Sequence, residues 1–433
     1  MSFELTPTKL IYGGESLGHY TGRTVLVPRV LPGERAEVEE VRTAKGVIHA
    51  RPLRILEAAP ERVNPPCPYF GLCGGCQYQH LAPERATAAK REILHETLRR
   101  LGRIEWEGEI GMHAGPPWNY RNQAQIKVSR QPDGLVELGF FEAQSHRVCD
   151  VETCLILSPR LNSVLAELRR PEWAKWLTWV RELDLSADAG DEKVMIVLRG
   201  PGAEGEQTMH RLLEGIPGVA SVALEFGGGY RVLGQPALDY PLGGINYQVS
   251  PGSFFQASRF LAPELVRSVT ENATGELALD LFAGVGLFSA PLARHFTRVM
   301  AVEAAAPSAS DLRANAEAHG LPNLRVMAET TFDFLRRFAQ AGADLVVMDP
   351  PRGGIDADSL KLLAALEPRE IRYVSCSPPT LARDLRFLLG RGYQLTSIEM
   401  FDFFPQTYHI ESLSKLTLAG KPAEPERPPK SSV

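Results

Sequence analysis

The chain has 433 residues, too many for one compact core, so two or three domains are expected. Hydrophobic residues at 44% and charged residues at 23% mark an ordinary globular protein, and a net charge of -5 argues against a general nucleic-acid coat, although a local basic groove stays open. No apolar run approaches the roughly 20 residues that span a bilayer, and the start, MSFELTPTKL, lacks a signal-peptide pattern, so no membrane association and a cytoplasmic location are expected.

Residues 1–57 read as short strands, KLIYGGESLGHY, RTVLVPRVLPGERAEVEEV and GVIHARPLRILEA, in which Val, Ile and Leu alternate with polar residues and turns fall at GG, PGE and KG. This is a small OB-like β-barrel of the size that often binds single-stranded nucleic acid; composition by itself, with charges nearly balanced, favours a plain accessory barrel.

Residues 58–250 are mixed. A proline-rich stretch, APERVNPPCPYFGLCGGCQYQH, leads into a helix, ERATAAKREILHETLRRLG. Strands are expected at NQAQIKVS, LVELGFFE, KVMIVLRG, VASVALEF and INYQVSPGSFF, interrupted by a helical stretch, SPRLNSVLAELRRPEWAKWLTWVREL. Cys67, Cys73 and Cys76 form a C-x5-C-x2-C pattern, Gly74 and Gly75 allow the tight loop such a group requires, and Cys154 can supply a fourth thiolate. In a reducing compartment such clustering points to metal or catalysis rather than to disulfides. Four thiolates suit a [4Fe–4S] cluster or structural zinc, and spacing does not separate the two. The arginines of REILHETLRRLGR fit a solvated helix face. Trp118, Tyr120, Arg121 and Lys127 would either stack on and neutralise RNA or belong to the core.

Residues 251–418 alternate strand and helix. LALDLF, RVMAVEA, LRVMAE, ADLVVMDPP and IRYVSCS read as five strands of a doubly wound α/β domain, with ligands expected at their carboxyl ends. YQLTSIEMF and IESLSKLTL have no helix between them and should form an antiparallel hairpin at the sheet edge. The tail, residues 419–433, is proline-rich and polar and is expected to be disordered.

Three strand ends carry chemistry. In LALDLFAGVGLFSAPLA, Gly284 and Gly286 permit a tight turn and close approach of a ligand, while Ser289 stands where a dinucleotide fingerprint has its third glycine. Glu303 ends the second strand, where a carboxylate accepts ribose hydroxyls. The missing glycine suits a ligand without a pyrophosphate, such as S-adenosylmethionine. Asp349 ends the fourth strand in VVMDPPRGG. Cys376 ends the fifth in YVSCSPPT, and as a nucleophile it needs activation, because a free thiol has a pKa of about 8.5. His409 and Glu411 follow in FFPQTYHIES.

The run SPGSFFQAS, LDLFAGVGLF, AVEA, DPPRGG, YVSCSP and DFFPQTYHIE resembles the RNA uracil-C5 methyltransferases, which make 5-methyluridine in ribosomal and transfer RNA. The resemblance implies a class I Rossmann-like methyltransferase domain at 251–418, a TRAM-like RNA-binding barrel at 1–57 and a mixed central iron–sulfur domain at 58–250. It implies Cys376 as nucleophile, Glu411 as base, and Gln256, Phe282, Gly284, Gly286, Glu303 and Asp349 around S-adenosylmethionine. It selects [4Fe–4S] and Cys154, rather than Cys149, as the fourth ligand after Cys67, Cys73 and Cys76. RNA is the implied partner, ribosomal 23S RNA before transfer RNA, with the chain acting as a monomer. Departures from the family pattern are Ser377 and Ser258 where asparagine is common, Leu287 where an asparagine often faces the cofactor, and Thr330 near another polar contact. An amino-group methyltransferase using DPPR, and an RNA-binding assembly factor on a degenerate methyltransferase fold, are the rival readings.

Overall fold

The structure is a computed structural model that describes residues 1–131, 135–201, 205–338 and 342–420; the expected disordered tail lies, from 421 on, outside the described residues. The amino-terminal part holds β1 (Ser2–Leu5), β2 (Lys9–Leu10), β3 (Glu15–Tyr20), β4 (Arg23–Pro28), β5 (Arg35–Ala44) and β6 (Val47–Glu57). They form one six-stranded sheet in the order β1-β5-β6-β4-β3-β2. The period-2 pattern sends Phe3, Leu5, Val25, Val27, Val38 and Ile48 into a common core. Outward arginines of β6 pair across the ladder with glutamates of β5, Arg51 with Glu39 and Arg54 with Glu37 at 2.5 and 2.8 Å.

The cysteine loop follows, then α1 (Pro83–Thr97), which continues as a π-turn over Leu98–Gly102. β7 (Ile110–Ala114) comes next. A seven-stranded sheet is built from β8 (Gln123–Arg130), β9 (Val136–Phe141), β10 (Val148–Asp150), β11 (Glu182–Ala187), β12 (Val194–Arg199), β13 (Val219–Phe226) and β14 (Gly229–Gly234), with α2 (Pro159–Leu168) and α3 (Gly205–Gly215) packed on it. The helical expectation over 158–183 was too long. Ser158 caps α2 by accepting from Leu161 N–H at 3.3 Å. The helix then stops, because Pro171 holds Arg170 extended (φ -66, ψ 140) and donates no N–H. Beyond it, Leu183, Leu185 and Ala187 alternate inward as β11.

A hairpin of β15 (Leu238–Leu242) and β16 (Ile245–Val249) leads to the last part: α4 (Ala262–Thr270), β17 (Gly275–Leu281), α5 (Ser289–Leu292), β18 (Phe296–Val302), α6 (Ala306–Ala318), β19 (Leu324–Met327), α7 (Thr331–Arg337), β20 (Leu345–Met348), α8 (Ala357–Leu366), β21 (Glu370–Ser375), α9 (Pro378–Leu389), β22 (Tyr393–Asp402) and β23 (Glu411–Leu418). The sheet order is β19-β18-β17-β20-β21-β23-β22-β7. Strands β17 to β21 are parallel, and the order reverses between β17 and β20, which opens a crevice at their carboxyl ends. The last two strands pair antiparallel as expected, but not at the edge. β23 inserts between β21 and β22, and β7, from far upstream, pairs parallel with β22 and covers it. A bare β22 would leave its ladder groups open to other chains.

One buried ion pair ties α1 to the end of β22. Lys90, 1% exposed, donates to Asp402 Oδ1 (2.7 Å) and to the Phe404 carbonyl (2.9 Å), while Thr87 Oγ1 donates to Asp402 Oδ2 (2.7 Å). Removing one partner strands a desolvated charge. Asp402→Ala is expected to lower the free energy of unfolding by about 3–5 kcal/mol in urea titration. The double variant Lys90→Met, Asp402→Leu should recover most of that loss, and equal destabilisation of the two proteins would contradict this account.

Candidate active site and cysteine loop

The turn after β17 is shaped for close approach. Phe282 (φ 70), Gly284 (φ 56) and Gly286 (φ 96) all lie in the left-handed region. A Cβ built on Gly284 would meet nothing within 4 Å, so open space lies where a ligand would come, whereas one on Gly286 would strike Leu312 Cδ1 at 2.4 Å. Glu303, at the end of β18, is fixed by this turn. Its Oε2 accepts from Gly284 N–H (2.8 Å) and its Oε1 from Ala305 N–H (2.6 Å), leaving further lone pairs for hydroxyl donors.

Two more carboxyls sit along the crevice. Asp280, fully buried in β17, accepts from the Ser289 hydroxyl, and its Oδ1 has no partner among the described residues. Ser289, in the place of a third glycine, therefore serves this acid. Asp349, just past β20, accepts from Gln256 Nε2 at 3.2 Å. Both acids are raised from 3.8 to about 7, by burial first; at Asp349 the Asp280 charge adds to the rise and the Gln256 hydrogen bond partly offsets it.

Cys376 and Glu411 are brought together by strand register. Ser375, the last residue of β21, pairs with Ser412 in β23, and the ladder ends there. The next residues outward, Cys376 and Glu411, thus flank the same strand end. Their charges interact: burial, then Glu411, then Asp349 push the Cys376 thiol up to about 12, and Arg352 pulls it down. Glu411 is 4% exposed, its Oε1 has no partner among the described residues, and burial followed by Asp349 holds its carboxyl well above the usual range. His409 is lowered to about 4, by burial first and by Arg352 next, so its imidazole is neutral.

The segment before Glu411 is held by upstream parts of the chain. Gln77 and Tyr78 N–H both donate to the Gln406 carbonyl (2.8 and 2.9 Å), and Tyr120 OH donates to the Pro405 carbonyl (2.9 Å). Gln77 and Tyr78 directly follow Cys76.

Cys67, Cys73, Cys76 and Cys154 line one cavity of about 50 Å³, walled also by Phe70, Phe140 and Leu157. Among the described residues no three His, Cys, Asp or Glu side chains are already drawn into a metal-holding group. The donor set nevertheless fits a thiolate-bound centre. Gly75 N–H points at Cys73 Sγ (3.4 Å), and Asn162 grips both the N–H and the carbonyl of Cys154 (2.9 Å each). Burial lifts the Cys73 and Cys76 thiols to about 12, so a metal would have to displace their protons. Cys149 is buried and does not line the cavity.

Other candidates lie elsewhere. Tyr120 is a core residue at 1% exposure, and Lys127 is paired with Glu182. Thr330 is exposed and caps α7, accepting from Asp333 N–H at 3.1 Å. Leu287 is buried in the core, and its carbonyl accepts from Tyr247 OH at 3.0 Å. Ser258 is buried and bridges to Arg121, which also lines the cysteine cavity. Sequence reasoning gave no role to Arg352, although it lies inside the quoted DPPRGG, and it missed Tyr12. The Tyr12 hydroxyl reaches the Cys376 carbonyl from 364 residues away, a separation that no local pattern signals.

The family model for tRNA (uracil-5-)-methyltransferase matches residues 243–418. The 23S rRNA (uracil(1939)-C(5))-methyltransferase RlmD of Alkalilimnicola ehrlichii is 35% identical, over 95% of this chain and 96% of that one. An uncharacterized RNA methyltransferase of Halalkalibacterium halodurans is 32% identical over 96% of each. The crystal structure of the Pyrococcus abyssi tRNA (uracil-54, C5)-methyltransferase with S-adenosyl-L-homocysteine has a TM-score of 0.73 at 23% identity, covering 96% of this chain and 100% of that one, and so shares its fold.

The raised carboxyls set a pH dependence. Asp280 and Asp349 bind protons more tightly folded than unfolded, so their contribution to stability falls as pH rises from about 4 to 7. His80 and His409, both lowered to about 4, act in the opposite sense below about 6.5, so a difference between proteins is the useful measure. The stability of Asp280→Asn relative to wild type should grow between pH 5 and pH 8 in denaturant titrations. A difference that stays flat or shrinks would contradict the shift.

Proposed function

The chain belongs to the RNA uracil-C5 methyltransferases, and from that footing we propose that it methylates C5 of a uridine in RNA through a transient bond between Cys376 and C6 of the base. The observation that carries this reading is the β21–β23 register, which sets a thiol and a carboxyl side by side at the mouth of the crevice that holds Asp349 and Gln256. S-adenosylmethionine, when bound, supplies the methyl group and a positive sulfonium. Gly284, Gly286, Glu303, Asp349, Gln256 and Phe282 are the residues that would hold it, and the open face of Gly284 and the unpartnered oxygen of Asp280 fit such a guest.

The chain's own steps follow from its acids. Uracil C5 is a poor nucleophile; a thiolate adding at C6 turns the ring into an enolate whose C5 takes an alkyl group. Cys376 must first lose its proton, and the Arg352 charge favours that loss. Glu411 must be ionised when C5 gives up its proton, so the thiol proton leaves to solvent rather than to Glu411. Burial makes Glu411 a strong proton acceptor at that step. Electrons from the broken C5–H bond then re-form the C5–C6 double bond and expel the thiolate. The base has to be flipped from its stack or be single-stranded to reach Cys376.

Residues 1–57 act in this reading as a TRAM-like, OB-like barrel that binds RNA, residues 58–250 as the central domain, and residues 251–418 as the methyltransferase domain. Cys67, Cys73, Cys76 and Cys154 hold a structural [4Fe–4S] cluster next to Gln77 and Tyr78, which bind the segment that precedes Glu411. Likeness to an enzyme acting on 23S rRNA favours ribosomal over transfer RNA. The chain works as a cytoplasmic monomer; among the described residues no helix is long and apolar enough to cross a membrane.

RNA containing 5-fluorouridine provides the test. Fluorine does not leave as a proton, so a methylated complex stable on a denaturing gel is expected, and Cys376→Ala should abolish it. Glu411→Gln should slow turnover by about 10²–10⁴-fold and accumulate the covalent complex even on ordinary uridine RNA. Full activity of Cys376→Ala would overturn the covalent route in favour of amino-group methylation, and absence of methyl transfer by wild type would favour a degenerate RNA-binding factor. Ribosomal and transfer RNA transcripts assayed side by side settle the substrate. Protein purified without oxygen should contain iron and acid-labile sulfide that are lost in Cys73→Ser; zinc in their place would overturn the cluster's identity.

A further inference from the structure

The turn between β2 and β3 is a fixed tip rather than a loose loop. Ile11 N–H donates to the Glu15 carbonyl (2.9 Å), and Gly13 (φ 109) and Gly14 (φ 87) make the reversal. The tip lies flush on the catalytic side of the molecule. A Cβ on Gly14 would fall 2.8 Å from Gln77 Cγ and 3.5 Å from Tyr408 Cδ1. Gln77 in turn holds the 403–410 segment, through its N–H to the Gln406 carbonyl (2.8 Å) and through Oε1, which accepts from Tyr408 N–H (3.4 Å).

Tyr12 extends from this tip. Its hydroxyl donates to the Cys376 carbonyl at 3.4 Å, the long end of the range, and its ring meets Tyr408 edge-on at 5.5 Å. Tyr408 continues to His409 at 4.4 Å, and His409 to Phe404 at 5.8 Å. Burial raises the phenol to about 12, so it keeps its proton and stays a donor. Cys376 itself lies between regular elements. The ladder ends at Ser375, α9 begins at Pro378, and Pro378 and Pro379 offer no N–H to brace the turn. Within the Cys376–Ser377 peptide the N–H is braced locally, donating to Ser375 Oγ (3.2 Å), while the carbonyl is met from outside by Tyr12.

We propose that Tyr12 is a positioning residue of the methyl-transfer site, contributed by the amino-terminal sheet, which holds Cys376 through its carbonyl and braces Tyr408 beside it. The amino-terminal sheet then completes the active site as well as gripping RNA. Near-attack geometry is sensitive, since a displacement of about 1 Å can cost about 10²-fold in rate. The proposal rests on the reading of Cys376 as nucleophile.

Two full-length variants test it, assayed for kcat and RNA KM and for alkylation of Cys376 by iodoacetamide against pH, followed by mass spectrometry of the Cys376 peptide. Tyr12→Phe removes only the hydroxyl and should lower kcat about 2- to 10-fold, the worth of one hydrogen bond, with RNA KM unchanged. Tyr12→Ala should lower kcat further and move the alkylation profile to lower pH, because burial is the first cause of the raised thiol and water would now reach it. Wild-type kcat in Tyr12→Phe, or variants that change RNA KM alone, would overturn the proposal. If Tyr12→Ala does not fold, Tyr12→Phe decides. If wild type transfers no methyl group to uridine, the functional reading fails, and an alkylation profile unchanged in Tyr12→Ala would independently refute the contact.

Discussion

The antiparallel pairing of β23 with β21 is the constraint on which the rest depends. In a parallel five-stranded sheet every carboxyl end faces the same crevice, and a chain that simply continued would run its sixth strand in the same sense. Here β23 runs the other way, so its first residue rather than its last meets the crevice. That reversal places Glu411 at the end of β21, where Cys376 emerges. Two groups 35 positions apart in the chain become neighbours through backbone hydrogen bonds rather than through a flexible loop. A register slip would turn each side chain to the other face and part them.

The same arrangement makes the site electrostatically tense. Asp280, Asp349 and Glu411 share a poorly hydrated crevice, and each prefers its proton there. A fourth acidic group, the Cys376 thiol, is pushed in the same direction. Below about pH 7 these groups rest largely neutral, which suits a nucleophile that would otherwise be open to oxidation. Arg352 relieves part of the tension at the exposed side, and a sulfonium-bearing guest would relieve more. The segment that leads to Glu411 is held in place from outside the crevice, by the Lys90–Asp402 pair and by the donors that converge on Pro405 and Gln406.

What could be seen in the sequence was whatever repeats or stands at a strand end. The alternation of residues 3–50, the five apolar runs of the last part, and the turn residues Gly284 and Gly286 all obey local rules, and the fold follows them. Cys67, Cys73 and Cys76 were grouped by spacing and Cys154 was added by resemblance, and all four border one cavity. Non-local pairing was hidden. β7 is five residues whose partner lies almost 290 positions later, and IGMHA is too short to show a period. The helix over 158–183 was overdrawn because apolar residues at helical spacing persist past Pro171, while proline chemistry rather than periodicity ends it. Tyr12 was invisible for the same reason as β7: its meaning comes entirely from where the hairpin tip lands.

The departures from the family pattern gain a physical reading once the side chains are placed. Leu287 is part of the core, so its apolar character suits its surroundings; an asparagine there would need buried partners. Thr330 spends its hydroxyl on the first turn of α7, a structural task that serine, threonine, asparagine and aspartate can all perform. Ser377 lies where strand gives way to helix, and its N–H donates to Ser375 Oγ at 3.2 Å, which tightens the turn that presents the thiol. None of these positions supplies the thiol, the carboxyl or the glycine turn. The substitutions fall on side chains committed to packing and capping, while the register that brings Cys376 to Glu411 runs through backbone atoms that such substitutions do not touch.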